Sequence, residues 1–168
     1  MVTERRPLSE VEVSRSEIIT KKIPAKQESF YIYVNTSYSM ASIFSKIISG
    51  EIPSYKIAET DDFLAFLDIN PNAKGHTLCI PKKEVNKIFD LDEKTYLELM
   101  AFSRKIAIAI EKAIPCKRVG MTVVGLEVPH VHVHLIPLNS MEDIRFLNKT
   151  ALTLSEFLNT AKAIKSHL

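Results

Sequence analysis

The sequence predicts an α+β domain built on a mainly antiparallel, five-stranded sheet. Three observations carry that expectation. Short apolar runs separated by turn residues fill positions 55–81. A long stretch then repeats its apolar residues at steps of three and four, and two further short runs follow at 118–125 and 130–137.

The elements follow in order. Ser42 is placed to cap a short helix over 43–49, which Gly50 ends with Pro53 just beyond. "YKIAET" leads through Asp61 and Asp62 into "FLAFLD", a hairpin pattern, and "NPNAKG" is a loop by composition. "HTLCIP" reads as a third strand between Gly75 and Pro81. Asp90 and Glu93 have capping-box spacing, and a helix is expected from there to about Ile114. Leu99, Phe102, Ile106 and Ile110 form its buried stripe, and Pro115 stops it. "RVGMTVVG" and "HVHVHLIP" read as a second hairpin closed by a short turn at Gly125, and a last helix is expected over 155–166. No internal repeat is present.

Residues 1–39 differ from the rest. They mix charges, contain Pro7 and Pro24, and hold no sustained helical period. Their first 29 residues hold no apolar core of the kind a signal peptide needs, and Glu4, Glu10, Glu12, Glu17 and Glu28 disfavour a transit peptide. The expectation is a disordered or dispensable leader, a docking arm led by "FYIYV" being the other reading, with one domain over 40–168.

Composition narrows the class. The 168 residues are 46% hydrophobic and 25% charged, with a net charge of +2, which is ordinary for one globular domain. Acids and bases are interspersed, so no nucleic-acid partner is expected. No apolar run approaches the roughly 18 residues that cross a bilayer. Cys79 and Cys116 lie far apart and point to a reduced, cytoplasmic setting.

The chemistry concentrates in "PHVHVHLIP". Three of five histidines, His130, His132 and His134, alternate with valines. On a strand they share one face while Val131, Val133 and Leu135 share the other. Three readings fit that face: ordinary core or surface histidines, a metal site, or chemistry on phosphate. Neighbouring histidines sit ~6.6 Å apart, close enough to share zinc, but the outer pair does not reach one ion from a straight strand. His76 is the available third ligand, whereas Cys79 points to the other face, and neither Cys-x-x-Cys nor His-Glu-x-x-His occurs. On phosphate, neutral imidazole is a nucleophile and its N–H a donor. Gly120 to Gly125 has P-loop glycine spacing but continues Leu126-Glu127, so a P-loop is excluded.

"HVHVHLI" resembles the His-φ-His-φ-His-φ-φ signature of the histidine-triad (HIT) superfamily of nucleotide hydrolases and transferases. "SIFSKIISGEIPSYKIAE" and "FLAFLDINPNAKGHTLCIPKK" are similar to its Hint-like branch in the same order. The resemblance implies a fold that dimerises through the long helix and sheet edge. It implies attack by His132 on the α-phosphorus of a purine nucleoside phosphoramidate or related adenylate, through a covalent nucleotidyl-histidine. His134 would contact phosphate or leaving group, with His130 and His76 in support. Asp68 matches the acid that holds the ribose hydroxyls. Ile43, Phe44, Ile47, Phe66 and Ile69 match the apolar slot around the base, and Gly125, Glu127 and Val128 the phosphate loop. No cofactor is implied. Other activities compatible with the resemblance are dinucleoside polyphosphate hydrolysis and nucleotide binding with weak turnover.

Three departures stand out. Leu126 occupies a position where many relatives carry glutamine, after a shorter turn. Ser42 and Ser45 stand where many bacterial relatives carry zinc-binding cysteines, so no metal is expected. "LIPL" lacks the arginine often found after the proline.

Independently of the resemblance, Leu97, Met100, Ala101 and Ile108 lie off the long helix's buried stripe, and a homodimer would cover them.

Overall fold

The computed structural model describes residues 42–168; the leader expected over 1–39 lies outside the described residues. Helix α1 (Ile43–Ile48) is followed by strands β1 (Lys56–Glu59), β2 (Phe63–Leu67) and β3 (Thr77–Pro81). Helix α2 (Glu93–Ala113) leads to β4 (Arg118–Thr122), β5 (Val133–Leu138) and α3 (Leu154–Lys165), with 3-10 turns at Ile88–Asp90 and Met141–Ile144. The five strands form one sheet in the order β1-β2-β3-β5-β4, and every pairing is antiparallel.

The strand period sorts the sheet into two faces. Phe63, Ala65, Leu67, Cys79, Val133 and Leu135 pack with Leu99, Ile106 and Ile110 of α2 and with Phe157 and Ile164 of α3. The alternate residues Leu64, Phe66, Leu78 and Ile80 meet Phe44 of α1, with Ile47 packed alongside. The large core therefore lies under α2 and α3. The smaller one lies under α1, on the face that carries the histidines.

Local chemistry sets most boundaries. Ser42 caps α1 by accepting the Ser45 N–H at 3.1 Å. Thr153 and Glu156 form a capping box that starts α3 one residue earlier than the sequence suggested. The cap of α2 is a correction. Asp90 ends a 3-10 turn, and Asp92 caps instead, accepting Thr95 N–H at 2.9 Å and its hydroxyl at 2.7 Å.

The histidine strand also differs from expectation. The sequence places it over 130–137, but β5 begins at Val133. In register, Cys79 pairs with Val133, so Pro81 would face Val131, and proline has no N–H to continue the ladder. The Val131 N–H bonds the Val85 carbonyl instead, at 2.7 Å. β4 likewise stops at Thr122, shorter than expected, and the β4–β5 connection is not a tight turn. Residues 123–132 form an irregular segment, with Gly125 at φ +71°.

One glycine is tied to the packing. Gly75 has φ +90°, and a Cβ there would lie 2.9 Å from Ile114 Cγ1 and 3.3 Å from Pro137 Cγ. Gly75→Ala is expected to cost ~1–3 kcal/mol through backbone strain and overpacking. Denaturant unfolding checks this; an unchanged midpoint would refute it.

Candidate active site

His132 and His134 have ring centroids 4.8 Å apart, and Phe44 packs edge-on against His132 at 5.1 Å and His130 at 5.8 Å. His76, just before β3, is fully buried and its Nε2 lies 3.0 Å from His134 Nδ1. The four histidines are thus one contiguous group on the α1 face of the sheet.

Backbone groups decide where each proton sits. The Asn72 N–H donates to His76 Nδ1 at 3.1 Å, so neutral His76 carries its hydrogen on Nε2. That hydrogen is donated to His134 Nδ1, which leaves His134 with its own hydrogen on Nε2. His132 has the opposite arrangement. Its Nδ1 lies 2.6 Å from the His130 carbonyl, which only accepts, so Nδ1 is protonated and Nε2 keeps a free lone pair. His130 donates from Nε2 to the Pro81 carbonyl at 2.8 Å, leaving Nδ1 to accept from Ser42 Oγ at 2.9 Å. A lone pair on His132 therefore stands beside a donor on His134.

Electrostatics hold these states. Burial, then the positive charges of Lys149 and of a protonated His132, push His76 down to about 3. Burial chiefly, with His132 and His76, holds His134 at about 3 against the opposing pull of Asp68. Burial also lowers His130. Asp68 Oδ2 is 3.6 Å from His76 Nδ1, but that nitrogen is occupied by Asn72, so the contact is not an ion pair.

Asp68, His76 and His134 offer donor atoms within 4.8 Å of one another. Both His76 nitrogens are engaged, however, and a metal ion there would have to break one of these hydrogen bonds.

Other expected site residues are distributed around this group. Phe44 and Phe66 are buried against each other with centroids 5.7 Å apart, and Ile47 is half-buried beside them. Ile43 is exposed and Ile69 is 71% exposed, so both are open to solvent at the margin. Val128 packs on the α1-side core, whereas Glu127 is exposed and Leu126 is 89% exposed. A cavity of about 240 Å³ includes Phe89, Val124, Gly125 and His132 in its lining. A larger one, about 340 Å³, lies between Tyr55 and α3 and touches none of the four histidines.

The sequence profile of the HIT domain matches residues 49–141. The chain belongs to the HIT family.

Among HIT relatives, it is 35% identical over 135 residues to a HIT-like protein of Borreliella burgdorferi, a match covering 75% of this chain and 97% of that one. It is 41% identical over 98 residues to the adenosine 5'-monophosphoramidase of Saccharomyces cerevisiae, covering 58% of this chain and 62% of the yeast protein. The solved HIT-like protein of Bartonella henselae, described as involved in cell-cycle regulation, aligns with a TM-score of 0.68 at 33% identity, covering 78% and 98% of the two chains.

Within this HIT domain, several site neighbours escape sequence reasoning. Phe146 packs edge-on against His134 at 4.9 Å from an unusual backbone conformation, φ 59°. Lys149 sits 5.1 Å over the Phe146 ring and donates to Asn72 Oδ1 at 2.8 Å. No motif marks these residues, since their partners lie far away in sequence. Asn72 had one weak signal, its place in the loop "NPNAKG" just before His76.

Proposed function

We propose that this HIT domain is a nucleotidyl hydrolase or transferase acting on purine nucleoside phosphoramidates or related adenylates through a nucleotidyl-histidine on His132. The observation that supports this reading most is the pairing of tautomers: a free Nε2 lone pair on His132 beside an N–H on His134. His132 Nε2 forms a bond to the α-phosphorus as the bond from phosphorus to the leaving nitrogen breaks. His134 donates a hydrogen bond from its neutral Nε2–H to the phosphate or the leaving group, and the leaving nitrogen takes its proton from solvent, so a neutral amine departs. Water then cleaves the phosphorus–histidine bond and releases nucleoside monophosphate. The carbonyl of His130 accepts from the imidazolium that forms. His76 keeps the donor on His134 correctly aimed.

Asp68 is assigned to the ribose hydroxyls, and Ile43, Phe44, Ile47, Phe66 and Ile69 to the base. Gly125, Glu127 and Val128 are assigned to the phosphate, through backbone N–H groups. The substrate class is supported by the name of the yeast relative. A panel of adenosine and guanosine phosphoramidates tests the reading directly. Release of nucleoside monophosphate supports it, and nucleotide binding without release from any member favours a binding module.

Leu126 favours that second reading to a degree, because its exposed side chain brings no donor to the phosphate loop. Leu126→Gln is expected to raise kcat/KM about fivefold, the effect of roughly 1 kcal/mol from one neutral hydrogen bond in the transition state. Identical kinetic constants in the variant would show that position 126 faces away from substrate.

A homodimer is part of this proposal. Leu97 at 57% exposed, Ile108 and Ala101 leave an apolar flank on α2 beyond the buried stripe. Light scattering at micromolar concentration decides between monomer and dimer. A cytoplasmic location is supported by two unpaired cysteines, one of them fully buried. Among the described residues, no helix is long and apolar enough to cross a membrane.

A further inference from the structure

Glu84, in the segment after β3, is tied to the histidines by a chain of hydrogen bonds that the reaction above does not use. Its carboxylate accepts the Ser42 N–H at 3.2 Å and the Ser45 hydroxyl. Ser42 Oγ accepts the Ser45 N–H at 3.1 Å and lies 2.9 Å from His130 Nδ1. Ser42 and His130 are both buried. Among the described residues, no lysine or arginine pairs with Glu84.

The hydrogens can be counted along this chain. His130 spends its one N–H on the Pro81 carbonyl, so its Nδ1 must accept, and Ser42 is the donor. Ser45 gives its hydroxyl hydrogen to Glu84. Both hydroxyls are then committed, and the His130 ring is held from both sides. Its own carbonyl is the group from which the His132 ring hangs. Ser42 is also the cap of α1, which carries Ile43 and Phe44. One carboxylate therefore joins three separate pieces of chain: the segment after β3, the start of α1, and residues 130–132.

We propose that Glu84 is a positioning residue for nucleotidyl transfer, acting through Ser45 and Ser42 on His130 to hold the His132 ring in register with the α1 side of the site. This rests on the reading of His132 as nucleophile. Glu84 touches neither substrate nor reacting atoms. Its effect is on how often His132 is aligned, and so on kcat more than on binding.

Glu84→Ala and Glu84→Gln separate this from a merely structural role. Glutamine keeps an acceptor for the Ser42 N–H, and its amide can donate to Ser45, whose hydroxyl then turns to Ser42; the bond from Ser42 to His130 survives. Glu84→Ala is expected to lower kcat about tenfold, with KM within about twofold, and Glu84→Gln to restore most of the rate. Imidazole ¹⁵N spectra should show the His130 and His132 resonances unchanged in the glutamine variant and shifted and broadened in the alanine variant, with the tautomers set by the Pro81 and His130 carbonyls retained in both. An unchanged kcat in Glu84→Ala, equal losses in both variants, or unperturbed ¹⁵N shifts would overturn the proposal. A parent protein with no turnover on any substrate would defeat the proposed reaction instead, and the ¹⁵N spectra would still decide the role of Glu84.

Discussion

His132→Ala should lower kcat by several orders of magnitude while nucleotide affinity largely survives. His132 is the middle of the triad and the one histidine of the three whose Nε2 is left without a hydrogen by its backbone partner, here the His130 carbonyl at 2.6 Å. Removing it deletes the bond-forming atom rather than an adjunct to it, and residues that act as a unit in covalent catalysis show losses of that scale. Affinity should largely persist because the base and ribose contacts are assigned to Phe44, Phe66 and Asp68, and Phe44, which touches the His132 ring, is also held by Phe66 and His130. Single-turnover kinetics with nucleotide titration measure both quantities. Quenching without acid, with labelled substrate, should trap the label on His132, and chelator should have no effect. Full activity in His132→Ala, or activity lost to chelator and regained with zinc, would refute the mechanism.

The second large effect is on stability in acid. His76 and His134 are held at about 3 when folded, chiefly by burial, against an ordinary value of about 6.5. Geometry gives the same direction. Protonating His76 at Nδ1 would set an N–H against the Asn72 N–H, and protonating His134 at Nδ1 would set one against His76 Nε2–H. Between pH 6.5 and 3 the unfolded chain binds protons that the folded chain refuses. Stability therefore rises with pH across that window, is complete above about 6.5, and is lost as pH falls toward 3. Each histidine kept neutral costs up to ~1.4 kcal/mol per pH unit within the window. Chemical denaturation from pH 7 to pH 4 should show this slope, steeper than in His76→Gln. Imidazole resonances of His76 and His134 that titrate near pH 6.5 in the folded protein would defeat the prediction.

The sequence by itself determined which faces exist. Strict alternation in "HVHVHLIP" put three imidazoles on one side and Val131, Val133 and Leu135 on the other, and side-chain period is a local property of extended backbone. The three- and four-residue stripe of α2 and the cap at Ser42 were legible for the same reason, since a helix buries one side and caps itself within four residues. Tertiary structure decided everything that depends on a partner distant in the chain. Pro81 ended the β3–β5 ladder and moved the start of the strand to Val133. The Asn72 N–H and the His130 carbonyl chose which histidine is donor and which keeps its lone pair. Glu84 found Ser42 across 42 residues, and Phe146 found His134 from a turn that no pattern announces. Periodicity fixes the direction of a side chain from its own backbone, but a proton's position depends on the group opposite, and only folding brings that group there.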